Sequence, residues 1–416
     1  MKKSDIKIHI VGAGVSGLIA AQILEKKGYT PTILEKTDWV GGRVKTDIVN
    51  GYQLDHGFQV LLDAYPMAQK YLDYASLDLQ EFLPGAVVYK NGKPRIIGDA
   101  LRDISLLWPT LFSGIGTFSD KLKVFKLNTA LKKKSIASIF DTKATTTLAL
   151  LKSRGFSETF ITDFFKPFFS GIFLEPDLAT SSRMFEFVYK MFGEGLAVLP
   201  KSGIAAIPEQ LKEKLSSTRI QFNTNVDTVL EGEIHLENGS TIKSDYTLLS
   251  TPDIALSQNK GKTPVKWKSC DTLYFTVPKR SVQKPLIGLI AKNDALVNNI
   301  FFHTSLEMGT KGKEELLSVT VVKSHTLSSE KLIDTVQREL RDECKIANTK
   351  FLKQYRIPRA LPDLNNIAYT LSAEEAQIGP KLFAIGDYML NGSLNAAMHS
   401  AEVATHALTT KIENDM

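Results

Sequence analysis

Three groups of residues in this chain have types and spacings that can do chemistry. The first is Gly12-Ala13-Gly14-Val15-Ser16-Gly17. Gly12 permits a tight turn, Gly14 removes the side chain that would stand between backbone and a pyrophosphate, and Gly17 lets a following helix pack closely on the preceding strand. The unpaired N–H groups at the start of such a helix, around Ser16, and its positive dipole end attract phosphates. The second is Glu35, 18 residues beyond Gly17, near the spacing of a carboxylate that accepts both hydroxyls of an unphosphorylated adenosine ribose. The third is Gly41-Gly42-Arg43, a second glycine pair followed by a cation, which gives another close backbone approach to a diphosphate. Nicotinamide dinucleotide domains do not usually need that second approach, so the pattern favours FAD. A nicotinamide-binding protein without flavin stays open as the alternative.

The elements that must hold these residues are visible around them. Ile6, Ile8, Ile10 and Val11 form a β-branched run, and Leu18, Ala21, Ile23 and Leu24 follow a helical period. Pro31-Thr32-Ile33-Leu34 predicts a second strand that ends at Glu35. Far downstream, Phe383-Ala384-Ile385 predicts a short buried strand, Gly386 a close approach, and residues 395–404 a small-residue helix. A plain strand-ending turn is the bland reading of Gly386-Asp387. Between these ends, Gln221-Phe222 and Ile234-His235-Leu236 are strand-like, and Glu237-Asn238-Gly239-Ser240 is a turn signal, as in a hairpin.

Composition excludes several functions. At 416 residues and 43% hydrophobic content, the chain can bury more than one core, and ordinary domain sizes suggest two compact units. Net charge is +6, but the lysines are scattered outside one segment, which argues against nucleic acid as a partner. Cys270 and Cys344 are far apart and outside any CxxC pattern, so neither a disulfide framework nor a metal site is expected. A cytoplasmic setting fits, since no apolar run reaches about 18 residues and the start of the chain lacks a signal-peptide core.

With these motifs in place, the sequence resembles the flavin-containing amine oxidase superfamily, which includes phytoene-type desaturases and protoporphyrinogen oxidase. The segments that carry the resemblance are residues 10–18, Leu34-Glu35-Lys36 through Gly41-Gly42-Arg43, Leu54-Asp55-His56-Gly57, Leu199 to Leu211, and Leu382 to Asp387. The resemblance implies an α/β fold in which a Rossmann-type FAD-binding domain is interleaved with an α+β substrate domain. Residues 1–70, 193–265 and 372–416 would form the first domain, and 71–192 and 266–371 the second. It also implies that Lys36, Val226, Gly386, Asp387 and Asn395 join the cofactor site. Val226 would contact the adenine from a strand covering residues 220–226, and Asp387 the ribityl chain. Residues 245–252 would form the strand that closes the return. The FAD is expected to be noncovalent, because residues 382–405 contain no Cys.

The substrate half is less specific. Phe160, Phe164, Phe165, Phe168, Phe169 and Phe173, then Phe185, Phe187, Tyr189 and Phe192, read mainly as core, with a dry cavity as the second reading. Phe160, Phe164 and Phe168 would share a face only if their helix continued through Pro167. Residues 101–134 combine Leu106 to Phe112, including Trp108, with Lys121, Lys123, Lys126 and Lys132 to Lys134. That combination suits peripheral contact at the inner face of a membrane. Pro109 and Gly114-Ile115-Gly116 break any long amphipathic helix and favour a core helix beside a solvated basic face.

Amine oxidases of the superfamily usually carry a Lys near the flavin and an aromatic cage. Cys270 and Ser393 stand at those places here, with Lys268 two residues away. The leading expectation is therefore an oxidoreductase that takes hydride from a hydrophobic small molecule in a desaturase-like or dehydrogenase-like reaction. Alternatives are an amine oxidase that releases hydrogen peroxide and a redox-neutral isomerase or lipid-binding flavoprotein. Candidates for proton handling are His56, Lys166 and His399, with Glu175 and Arg183 behind them. Substrate, electron acceptor and oligomeric state are not encoded in any motif.

Overall fold

The computed structural model describes residues 2–99, 102–251, 265–310 and 312–416. Pro252, at the end of the expected closing strand, and residue 101, at the start of the basic segment, lie outside them.

The fully buried strand Ile8–Val11 is the hub of a parallel five-stranded sheet. On one side it pairs with Thr32–Leu34, which pairs in turn with Arg219–Gln221. On the other side it pairs with Tyr246–Leu249, which pairs with Leu382–Ala384. Ile8–Val11, Tyr246–Leu249 and Leu382–Ala384 are buried throughout, as mostly apolar parallel strands are, whereas the edge strand Arg219–Gln221 keeps Arg219 exposed. Connections leave the central strand in both directions, so a crevice opens at its carboxyl end, where the Gly12–Gly17 turn lies. Helices Val15–Lys26 and Leu394–Asp415 pack together beside this sheet.

Two sequence expectations fail next to it. The strand predicted over residues 220–226 is split: Arg219–Gln221 belongs to the parallel sheet, whereas Val226–Leu230 starts a separate three-stranded meander. Asn223, at φ 53°, turns the chain between them. The Asn238-Gly239 turn does make a hairpin, but it joins Glu233–Leu236 to Thr241–Lys243, not to Gln221-Phe222.

A mixed seven-stranded sheet is built from residues 85–98 and 266–363. Its longest strands, Lys266–Val277 and Lys350–Asp363, are antiparallel neighbours, and helix Ser329–Cys344 buries Leu332, Val336 and Leu340. Helices drawn from residues 104–194 form the remaining layer.

Within that layer the phenylalanine-rich segment departs from expectation. The helix continues through Pro167, from Glu158–Phe160 through a π-helical turn at Ile161–Phe165 to Lys166–Phe173. The Lys166 N–H reaches five residues back to the Ile161 carbonyl, and this widened turn accommodates a proline that has no N–H of its own. Phe160, Phe164 and Phe168 consequently form a ladder, with ring centroids 5.4 and 5.7 Å apart and planes within 22° and 17° of parallel.

Candidate functional site

One cavity of about 1600 Å³ runs from the glycine turn, past the ends of the parallel strands, into the helical layer. Ordinary ligand pockets occupy about 300–1,000 Å³, so this space holds more than one small molecule. Its first end is a glycine cradle. Gly41 N–H donates to the Ala13 carbonyl at 2.8 Å and draws the second glycine pair alongside the first turn. Gly17 lies beneath: a Cβ there would come within 2.1 Å of the Gly12 carbonyl oxygen, so glycine is a packing requirement. Gly14 is different. Its φ of −66° suits any residue, and a Cβ would meet nothing closer than the Ser250 hydroxyl at 3.8 Å. Gly42 also has no atom within 3.7 Å of its Cβ position, although its φ of 59° favours glycine in its own right. The protein itself does not need the space left at these two glycines. The helix behind Gly14 has no side-chain cap, so its first N–H groups are turned toward that space. A diphosphate fits both the space and the donors.

Next to the cradle, buried Glu35 accepts from Ala13 N–H at 2.7 Å and from Thr37 N–H and hydroxyl at 2.9 and 2.8 Å. About four acceptor positions exist on a carboxylate, which leaves one for a ribose hydroxyl. Lys36 and Val226 line this end, and the Ser16 hydroxyl meets Ser250 at 2.9 Å. Across the cavity, Arg43 binds Asp387 at 2.5 Å, and its guanidinium also lies 5.1 Å from the Trp267 ring. Gly386, at φ 148°, brings Asp387 to the cavity wall. Of the residues expected around the cofactor, Gly17 and Asn395 do not line the cavity. Asn395 is buried, and its amide oxygen accepts from Met67 N–H at 3.0 Å, tying two helices together.

Beside the cavity stands a cluster of which the sequence motifs single out only His56. Asp47 accepts from His56 Nε2 at 2.9 Å and from the Tyr355 hydroxyl at 2.8 Å, with Lys45 at 3.4 Å. Burial would raise the Asp47 carboxyl, but the two hydrogen bonds and the nearby positive charge outweigh it and hold the group below its ordinary range. An ionised carboxylate can only accept, so His56 Nε2 carries the hydrogen, and in a neutral ring Nδ1 is then the acceptor. His56 and Tyr355 both line the cavity, with ring centroids 4.3 Å apart. Sequence spacing could pair Asp47 with His56 across their hairpin, but not with Tyr355, which is 308 residues from Asp47.

The other proton-handling candidates are elsewhere. Lys166 faces a separate small pocket beside Asn298. His399 stacks on Tyr369 at 5.6 Å outside the cavity lining. Glu175 accepts from Asp177 and Thr180 within its own turn, and Arg183 donates to the Thr142 carbonyl. Cys270 does line the cavity; burial pushes its thiol up to about 12, so it is neutral. Lys268 is turned away toward Asp363 and Thr180.

The far end is aromatic. Phe160, Phe164, Phe168, Phe169, Tyr189 and Phe192 line it, whereas Phe165, Phe173, Phe185 and Phe187 are buried core. Phe160 and Phe169 are themselves fully buried, so six of the ten rings are core, as expected, while the continuous helix also keeps one ring ladder on the cavity side.

No helix among the described residues is long and apolar enough to cross a membrane. Comparison with known proteins places this geometry. The chain is 25% identical over 279 residues to protoporphyrinogen oxidase 2, chloroplastic/mitochondrial, of Arabidopsis thaliana, covering 64% of this chain and 54% of that protein. It is 28% identical over 288 residues to the L-amino-acid oxidase of Echis ocellatus, covering 64% and 56%. The matches span little more than half the length of these curated relatives. Among solved structures, an oxidoreductase from Methanosarcina mazei superposes with a TM-score of 0.73 at 14% identity, covering 96% of this chain and all of that one, and so shares the fold. The family model for flavin containing amine oxidoreductases matches residues 15–356. The chain belongs to the flavin containing amine oxidoreductase family, a family of FAD-dependent oxidoreductases.

Proposed function

We propose that this protein oxidises a hydrophobic small molecule, using FAD held noncovalently in the glycine cradle. The observation that carries the reading is the continuity of one cavity from unneeded glycine space to an aromatic chamber. On this reading residues 1–70, 193–265 and 372–416 carry the cofactor, and 71–192 and 266–371 the substrate. Gly12, Gly14, Ser16 and Gly42 would receive the diphosphate, Glu35, Lys36 and Val226 the adenosine, and Arg43, Gly386 and Asp387 the remainder. FAD, when bound, accepts two electrons as hydride and passes them to dioxygen or another acceptor.

The chain's own groups then have separable tasks. The phenylalanine ladder binds an apolar substrate and excludes water. His56 Nδ1 is the acceptor for a substrate proton, while ionised Asp47 fixes the ring and stabilises the imidazolium that forms. Burial and the Asp47 charge push the Tyr355 hydroxyl up, so it stays protonated and holds Asp47 from the other side. A neutral Cys270 faces the cavity, and Lys268 does not, which weighs against amine oxidation. Protoporphyrinogen, for which the plant relative is named, is a large polycycle of the kind this chamber suits.

The test is anaerobic mixing of the flavoprotein with candidate substrates while absorbance near about 450 nm is followed. Bleaching by an apolar polycycle or polyene supports the reading. Bleaching by polyamines or aryl amines, with hydrogen peroxide released in air, would replace it with amine oxidation. Spectral shifts without bleaching, together with an isomerised product, would replace it with a redox-neutral reaction.

A further inference from the structure

The apolar segment Leu107–Phe112 is not the core helix that sequence patterning favours, although the lysines that follow it do form a solvated basic face. Pro109 sits in the first turn of a short helix, Leu107–Phe112, and Gly114 and Gly116, at φ 66° and 65°, turn the chain into a second helix, Phe118–Lys132. The large apolar side chains of this region face outward. Trp108 is 65% exposed, Phe112 78% and Phe118 75%, and Leu111, Leu122 and Phe125 are also exposed. Trp108 and Phe112 stack on each other with ring centroids 5.9 Å apart, so they form a continuous surface. In the second helix Phe118, Leu122 and Phe125 are spaced to share one face, while Leu127 and Leu131 are buried on the opposite one.

Charge flanks that outer face. Residues 104–134 contain six lysines and a single acid, Asp120, which is fully buried as part of a helix cap with Thr117 and Ser157. Lys126 and Lys132 on the second helix and Lys133 at its end are exposed, so positive charge lies on the helix that carries Phe118, Leu122 and Phe125. Phe125, Lys121 and Asn128 also line the aromatic end of the cavity, so its rim lies within this patch.

We propose that this face docks on a lipid bilayer containing anionic lipid. Stacked Trp and Phe rings suit the acyl boundary, and the flanking lysines suit the phosphate level. A protein partner complementary to the lysines would be acidic, and acidic surfaces do not match a protruding apolar cluster. The docking stands on the surface residues alone; only the corollary that substrate enters from the bilayer rests on the proposed oxidation of a hydrophobic molecule.

The experiment is co-sedimentation of the flavoprotein with phosphatidylcholine vesicles, with and without about 30% phosphatidylglycerol as the anionic lipid. The expected result is binding to the anionic vesicles that weakens with salt and with loss of phosphatidylglycerol. A double variant, Phe112→Ser with Phe118→Ser, should lower partitioning by about tenfold or more. Both side chains are exposed, so flavin absorbance and melting temperature should not change. Lipids brominated in their acyl chains should quench tryptophan fluorescence, and Trp108→Phe should bind and lose that quenching. Absence of binding by the intact protein, or equal binding by the double variant, overturns the proposal. So does a concentration-dependent dimer that the double variant abolishes, because the occupant would then be a second copy. Docking without turnover of any apolar substrate would leave this proposal standing and refute the redox reading instead.

Discussion

Asp55 is a carboxyl sealed inside the protein, and replacing it with Asn tests how the cofactor-side segments are joined. It accepts from the Thr46 hydroxyl at 2.6 Å and from Ile204 N–H at 3.1 Å, and so links the first segment to the one that returns after the helical layer. Burial outweighs both bonds and raises the group from 3.8 to about 6. A tenfold change in proton affinity corresponds to about 1.4 kcal/mol, so the difference between folded and unfolded protein is worth about 3 kcal/mol. Because the folded value lies above the unfolded one, this contribution is complete below pH 3.8 and is lost as pH rises through 6. Buried His303 does the reverse: burial lowers it from 6.5 to about 4, so its contribution, also about 3 kcal/mol, is lost as pH falls from 6.5 to 4. Lowered His9 and His399 have the sign of His303. The two opposed groups flatten the wild-type profile between about pH 4 and 6.5. In Asp55→Asn the opposing contribution is absent, so stability relative to wild type should grow by about 2 kcal/mol across that interval. Urea unfolding at fixed, saturating FAD over about pH 4 to 7 measures the difference, and all other groups cancel in it. Parallel curves for the two proteins would mean that Asp55 ionises normally, and the buried-link argument would fail.

Other expectations follow from the same geometry. Gly14→Val should leave apoprotein stability within about 1 kcal/mol, since its backbone angle and surroundings accept a side chain, yet weaken FAD binding by about 100-fold in a fluorescence titration, equivalent to about 2.7 kcal/mol. Gly17→Ala should instead destabilise the fold by about 3 kcal/mol, because its Cβ collides with the Gly12 carbonyl; equal behaviour of the two variants would refute the distinction. His56→Asn should reduce the rate of anaerobic flavin reduction by about 100-fold or more, with little change in substrate affinity; an unchanged rate removes His56 as the proton acceptor. Denaturation should release free FAD, and flavin retained on a peptide containing Cys270 would contradict noncovalent binding.

How much of this is legible in the sequence depends on range. The turn at Gly12–Gly17, Glu35 and Gly41–Arg43 signal through local spacing, and Gly386-Asp387 gains meaning beside them. Tyr355 is not legible, because only long-range strand pairing brings it to Asp47 and His56. The ring ladder escapes a local reading because Pro167 normally ends a helix, and nothing in the pattern around it announces a π-helical turn. Patterning also undervalues residues 118–132: apolar residues on two opposite faces cancel the one-sided stripe by which a surface helix is recognised. Lys166 and His399 are attractive by residue type alone, and packing directs both elsewhere.

The Arg43–Asp387 bridge and the sheet around it also set an order of events. The strand at residues 8–11 is made long before residues 382–384 and the helix after them, yet the sheet it organises is incomplete without them. The proposed cofactor site would therefore close late, after the whole helical layer and the seven-stranded sheet have had time to form. On the proposed placement of the cofactor, a nascent chain still short of these residues would lack Asp387 and the strand that positions it, and flavin loading would wait until they have emerged from the ribosome. Truncation near residue 380 should then abolish cofactor uptake while sparing much of the intervening structure.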